Sequence, residues 1–375
     1  MKKSRTTYKT SILLLLLLIH VTSCNSKKNN NSSNKELLST NQIPTIEDSQ
    51  IGDYVVNVFE DSKGNLWFST LTYGLAKYDG NKLTYITSIG KRVGSIVEDS
   101  EGNLWFGTHS GIYKYNPSAT LRTGDETFTN YSVNDGLCDN LVSTITIDKK
   151  GTIWVGTWGG ICKFNGTSFI HFPIPNPDIE VPSYQETTNW ISEIMEDSKG
   201  NMWFARDGYG ATKFDPSAAL KTGGKAFTHF TKKDGLASNN VTDIQEDKLG
   251  NIWFASRITE KDHPDETKKN GPGGLVKYDG SNFIDFPDLE GLYNSDVFQI
   301  YRDSKDNIWI SAQGHGVYKF DGHSFINYKA AENTSTKAVM SILEDSKGSI
   351  WLGSAGGLFR LDSRVITNIT TNGPW

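Results

Sequence analysis

The side chains best equipped for chemistry in this 375-residue chain fall in short polar stretches of varied composition: Tyr73, His109, Trp158, Trp190, Arg206, Asp207, Tyr209, Arg257 and His315. Two chemistries are open to such a set. Aromatic faces mixed with His, Arg, Asp and Asn suit a polar ring-shaped ligand, a sugar or a peptide, held by stacking and a few directed hydrogen bonds. A histidine could instead serve as a base, His109 or His315 paired with Tyr73 or Tyr209, as in a lyase. A glycoside hydrolase needs two placed carboxylates; Asp207 and Asp296 are conceivable, but no motif selects them. A lone loop histidine is more often an ordinary polar residue, so binding is the favoured reading and no catalytic residue is assigned. Nucleophile elbows, phosphate-binding loops and zinc-spaced Cys/His clusters are missing from the sequence, and neither metal nor cofactor is expected.

A repeated unit must position these residues. Asp61-Ser62-Lys63-Gly64-Asn65-Leu66-Trp67 returns in six further copies ending on Trp105, Trp154, Trp203, Trp253, Trp309 and Trp351, at steps of 38, 49, 49, 50, 56 and 42 residues. A period of this size marks a solenoid, a propeller or an array. Each unit has an alternating apolar run (Val55 to Phe59), the Asp-x-x-Gly-Asn turn, a Leu/Ile-Trp-Phe run, a Gly-containing turn, a third run (Leu75 to Tyr78), and an Asp-Gly or Asn-Gly pair before a fourth. Asn-Gly and Asp-Gly between alternating runs are strong hairpin signals, because a type I′ turn needs φ > 0 at both central residues. No long run has a 3.6-residue apolar period. The chain is therefore expected to be all-β, a seven-bladed β-propeller of four-stranded antiparallel blades over residues 51–370, with each tryptophan wedged between neighbouring blades.

In such a blade the Asp-x-x-Gly-Asn and Asp-Gly turns share one face and are short and uniform. The opposite face carries the turns between strands two and three and the links between blades. There the candidate residues lie, with the long stretches Pro173 to Asn189 and Arg257 to Gly273. Function concentrates on loops held by a rigid scaffold.

The pattern Glu-Asp-x-x-Gly-Asn-Leu/Ile-Trp-Phe/Val-Gly/Ser-Thr…Gly-Gly-Leu/Ile-x-Lys-Tyr/Phe resembles the two-component regulator propeller repeat. So do Asp135-Gly136-Leu137-Cys138-Asp139-Asn140 and Asp234-Gly235-Leu236-Ala237-Ser238-Asn239. The likeness runs from about residue 51 to 362. It implies the extracytoplasmic sensor region of hybrid sensor kinases, whose ligands are often glycan fragments. No kinase or membrane-spanning segment follows Trp351, so signalling is expected to need a separate membrane sensor or transport partner. Streptogramin lyases, which use a histidine base, are also seven-bladed. The sialidase Asp-box has its aspartate five residues before Trp, whereas Asp61, Asp99 and Asp197 stand six before it. A protein–protein scaffold is a third possibility.

The flanks carry other signals. Residues 1–24 combine a basic start (Lys2, Lys3, Arg5) with an apolar run from Ile12 to Ile19, too short to span a bilayer. Val21-Thr22-Ser23-Cys24 resembles a lipoprotein lipobox, so Cys24 is the expected lipidation site and the membrane an expected partner. Asn25, rather than an aspartate, tilts the expected location toward the outer membrane of the cell envelope. Residues 25–50, rich in Asn, Ser and Lys, read as a disordered tether. A net charge of −5 without a basic stripe argues against nucleic acid. Cys138 and Cys162 are expected to be near but not adjacent, and a disulfide between them is the less favoured reading. Asn116 to Gly124 and Asp215 to Gly223 are matched insertions that suggest a shared turn-and-helical-turn ornament. Blade seven is expected to hold its own fourth strand, Val365 to Ile369, although Leu37 to Ile46 could complete it.

Overall fold

The computed structural model describes residues 51–375 apart from 53, 72, 90–91, 119–127, 180–189, 259–272, 330–337, 363 and 372. Cys24 and the tether at 25–50 lie outside the described residues. Seven four-stranded antiparallel meanders follow one another, spanning Val55–Ile86, Val93–Tyr131, Val142–Phe172, Ile191–Phe230, Val241–Asp285, Val297–Tyr328 and Val339–Asn368. The chain is a seven-bladed propeller, nearly all β.

The repeated turn explains why each blade forms. Asp61 Oδ1 accepts from the Lys63 and Asn65 amides at 3.0 and 2.9 Å, closing the turn around Gly64, whose φ of 77° suits a residue without Cβ. Its Oδ2 accepts from the Trp67 indole N–H at 2.9 Å. The same Asp–Trp bond recurs in every blade at 2.8–3.0 Å. The indole is thereby fixed in one orientation and its donor satisfied, although each of these rings is nearly fully buried. A cationic side chain from strand three lies over each ring, Lys163 at 4.7 Å being the closest and Arg360 at 6.0 Å the farthest.

The tryptophans wedge between blades as expected. Trp67 packs with Val93, Leu104, Phe106 and Tyr115 of blade two, and Trp351 with Val55, Val58 and Phe68 of blade one. A polar latch reinforces the seams: the glutamate ending strand one accepts from the residue after the turn aspartate of the preceding blade. Ser62 donates to Glu98, Lys149 to Glu196, Ser198 to Glu246, Ser304 to Glu344 and Ser346 to Glu60, each amide at 2.6 Å. Blades three and six have Ile147 and Arg302 at the glutamate position. The ring closes with blade seven's own fourth strand, Val365–Asn368. Ile51 donates to the Thr370 carbonyl at 2.9 Å, and the Trp375 ring sits edge-on to Phe68 and Tyr78. The alternative strand at Leu37 to Ile46 falls outside the described residues.

One expectation is corrected. Cys138 and Cys162 are disulfide-bonded, with Cα atoms 6.1 Å apart. The link into blade three folds back because Ser132 and Asp135 form a capping box and Gly136 turns at φ 92°, against the Phe169 carbonyl. That brings Cys138 beside strand three, where it also donates its amide to Cys162 Sγ at 2.8 Å. Of the two insertions, Pro216–Ala219 forms one helical turn capped by Asp215, whereas only 116–118 of the other are described.

Four residues before each turn aspartate, strand one presents a polar side chain: Asn57, Ser95, Thr144, Glu193, Asp243, Gln299 and Ser341. Ser95, Asp243, Gln299 and Ser341 accept a backbone amide of the following blade. Glu193 accepts from the Thr144 hydroxyl at 3.1 Å and the Ile194 amide at 2.9 Å. Removal from water opposes ionisation of both acids, and the Glu193 charge adds to this at Asp243: the Glu193 carboxyl is pushed up to about 7 and Asp243 is raised well above its usual range.

Two predictions follow from these contacts. Asp303→Ala strands the buried Trp309 indole and should cost about 1–3 kcal/mol in urea unfolding, whereas Asp303→Asn, which keeps an acceptor, should cost less. The folded state holds a proton on Glu193 that the unfolded chain releases near its ordinary 4.5. Stability from this source is therefore complete below that pH and falls as pH rises toward about 7. Glu193→Gln should remove this dependence, so that relative to wild type its melting temperature rises by a few degrees between pH 5 and pH 8. Equal slopes in the two proteins would refute the assignment.

Candidate functional site

The loop-face mouth of the propeller is built by one recurring backbone bond. The amide following strand two donates to the carbonyl preceding strand one: Leu71 to Tyr54, Trp158 to Leu141, Asp207 to Trp190, Arg257 to Asn240, Gln313 to Asp296 and Ala355 to Ala338, each at 3.0–3.1 Å. These residue pairs stand at the loop-face ends of strands one and two. Repetition of the scaffold therefore sets where they stand, and only their identity changes from blade to blade.

Four predicted site residues come together on blades three, four and five. The Trp158 and Trp190 rings lie 5.6 Å apart at 32°. The Arg257 guanidinium sits 5.5 Å from the Trp190 ring and donates to Asp207 Oδ1 at 2.9 Å. Both tryptophans and Arg257 are half-buried, whereas Asp207 is buried. The Trp190 indole nitrogen is buried without a hydrogen-bond partner among the described residues. This cluster offers two aromatic surfaces and a charge pair, which is the chemistry of stacking with directed polar contacts.

Arg206 and Tyr209 belong to a second, buried cluster. Successive strand residues face opposite sides, so Arg206 points away from Asp207 and toward the link leaving blade three. It donates to the Pro175 carbonyl at 3.0 Å and Asn176 Oδ1 at 2.6 Å, with Tyr209 stacked 4.6 Å away. Burial pushes the guanidinium down to about 10. These two residues clamp the 173–179 link beneath the mouth.

The remaining three candidates are dispersed. Tyr73 packs edge-on to Tyr85 and beside Gly52 in blade one. His315, in blade six, is engaged by the Gln313 carbonyl at 2.8 Å through Nδ1 and lies 3.4 Å from Glu290 through Nε2. His109, exposed in blade two, has its pKa lowered by partial enclosure and then by the Arg92 charge. Blades two and six are three steps apart on the ring, so the two histidines do not converge. Asp296 is 3% exposed and accepts from the Ile258 amide at 2.7 Å. Among the described residues, no group of three or more His, Cys, Asp or Glu side chains could hold a metal ion.

The sequence reading missed Asn176, Asn240 and Arg92. Counting back seven residues from each turn aspartate would have found the last two, since that position precedes strand one in every blade. Asn240 Oδ1 accepts from the Gly208 amide at 2.9 Å and so braces the turn that follows Asp207. Asp207→Ala should leave the partly buried Arg257 charge without this carboxylate and cost about 2–4 kcal/mol in denaturant unfolding. A loss below about 0.5 kcal/mol would mean that the pair behaves as a surface ion pair.

Comparison with known proteins adds the lineage of the repeat. The family model "Two component regulator propeller" matches residues 49–72, 87–110, 136–159, 235–257 and 334–356, which fall in blades one, two, three, five and seven. Blades four and six depart from the pattern: Ala205-Arg206 replaces Gly/Ser-Thr in one, and Asp306, at φ 65°, replaces the turn glycine in the other. No curated protein matches the chain. Among solved structures, it resembles the extracellular domain of a protein described as a hybrid two component system of B. thetaiotaomicron, at TM-score 0.62 and 22% identity. That match covers 82% of this chain and 40% of the other, so this chain spans about two fifths of its length. It also resembles virginiamycin B lyase of Staphylococcus aureus (TM-score 0.58, 14% identity, 84% and 94% covered). A third likeness is to PorZ, a surface component of the type-IX secretion system of Porphyromonas gingivalis (TM-score 0.58, 16% identity, 88% and 48% covered). At these identities the likenesses speak for the fold. Five of the seven blades of this chain match the two component regulator propeller repeat.

Proposed function

We propose that this protein is an extracytoplasmic sensor-type binding propeller, which holds a glycan or another polar ligand at its loop-face mouth without chemistry of its own. The observation that carries this reading is the Trp158–Trp190 pair with Arg257 and Asp207 at its edge. Half-buried aromatic faces beside a braced charge pair favour stacking on a polar ring and hydrogen bonds to its substituents. Resemblance to the extracellular domain of a hybrid two component system supports a sensory role outside the cytoplasm. Among the described residues no helix is long and apolar enough to cross a membrane. Attachment through acyl chains on Cys24, with 25–50 as tether, is the anchoring we propose, and output would pass to a separate membrane partner. A lyase reading is favoured less, because it rests on His109 and His315 converging with a carboxylate or tyrosine at one cleft, and the two histidines stand in blades two and six.

The test is a thermal-shift screen of the full chain in detergent against oligosaccharides and peptides, with product analysis of each hit. A ligand recovered intact supports binding, because a ligand of the folded state alone raises its apparent stability. Trp158→Ala and Trp190→Ala should each weaken the hit about tenfold or more, on the order of 1.4 kcal/mol. A cleaved ligand would establish catalysis and overturn the proposal, and full affinity in both variants would place the site elsewhere. Cys24→Ala should shift the protein from the membrane to the soluble fraction; unchanged membrane association would rule out the lipid anchor.

A further inference from the structure

Blade two breaks the rule that builds the mouth. In the six other blades the amide after strand two donates to the carbonyl before strand one; in blade two the corresponding bond, from His109 to Arg92, is not made. Arg92 has a φ of 65°, a left-handed conformation that strains a residue with a side chain. The two residues are nevertheless neighbours, because Val93 pairs with Thr108 across the first two strands and Arg92 and His109 come next on each. The His109 turn itself is fixed: Thr108 Oγ1 accepts from the Ser110 amide and donates to the Gly111 carbonyl, both at 2.9 Å.

Charge sets this sector apart from the rest of the mouth. Arg257 is matched by Asp207 at 2.9 Å. Arg92 has no carboxylate partner among the described residues, and its charge bears on His109. On the adjoining link, which touches this turn through the bond from the Gly111 amide to the Asn140 carbonyl, Asp139 has its carboxylate engaged by the Leu141 amide at 2.8 Å. The sector thus holds two cationic or protonatable side chains and a backbone that departs from the ring pattern. Strained backbone of this kind clusters at ligand clamps and switch regions.

We infer that Arg92 and His109 form an oxyanion-recognising subsite at the mouth, for a carboxylate or sulfate group carried by the ligand. A planar guanidinium matches such a group with two parallel N–H donors, and the imidazole adds a third. This deepens the proposed loop-face binding reading and rests on it for the remainder of the ligand, but the anion subsite can be tested without a sugar.

The probes are inorganic sulfate and acetate, added to the full chain with ionic strength matched by chloride. The readout is the pH titration of the His109 ring proton resonance by NMR, assigned by its loss in His109→Gln. A bound oxyanion favours the protonated imidazole, so the His109 pKa should rise by about 0.5 or more. In Arg92→Gln the starting pKa should be higher, since a repelling charge has gone, and the anion-dependent rise should vanish. A rise with sulfate alone assigns the subsite to sulfate esters, and a rise with both probes assigns it to carboxylates as well. No rise beyond the chloride control, or an equal rise in Arg92→Gln, would overturn the inference. Either result leaves the oligosaccharide screen standing, because that screen reads Trp158 and Trp190.

Discussion

The hydrogen bond from each tryptophan indole to the aspartate six residues before it is the interaction on which the propeller depends. It ties a turn on the short-loop face to a large ring buried between two blades. The aspartate acts twice, closing the turn through one oxygen and satisfying the indole through the other. A buried ring whose N–H had no acceptor would forfeit part of what its apolar area contributes. A cation from strand three covers the ring. One blade's turn thus positions the wedge against the next blade, and seven such steps close a circle without borrowing a strand.

That economy leaves the other face free to vary. Core, turns and latches are met by the same residue types in nearly every blade, so residues beyond the ends of strands one and two contribute little to the ring. The recurring backbone bond at the mouth fixes their places. Blades three to five use those places for Trp158, Trp190, Asp207 and Arg257; blade seven fills them with Ala338 and Ala355. The mouth is therefore chemically lopsided, polar and aromatic on one arc and apolar on another. A binding site assembled in this way needs no change in the fold.

Buried charge is handled differently in three places. Arg257 has Asp207 beside it, and Arg206 gives its two terminal nitrogens to a carbonyl and an amide oxygen under a tyrosine ring, while its Nε meets no acceptor among the described residues. Among the described residues Glu193 and Asp243 have only hydroxyl and amide donors, so proton uptake replaces a counter-charge. Each solution follows from what neighbouring blades present, and none is visible within a single repeat.

The fold was almost wholly legible in the sequence. Seven spaced turns that open on an aspartate six residues before a tryptophan dictate seven meanders, because turn geometry and the apolar period are local properties that survive without knowledge of neighbours. The loop-face location of Trp158, Asp207, Arg257 and His109 follows from strand count alone. Tertiary structure decided the rest. It joined Trp158 to Trp190 across 32 residues of sequence, turned Arg206 and Tyr209 inward, and separated His109 from His315. It also paired Cys138 with Cys162, since the fold-back of a capped link sets that distance and spacing in sequence does not. Contacts between blades depend on which residues a closed ring brings side by side, and a linear repeat specifies the ring without specifying its meetings.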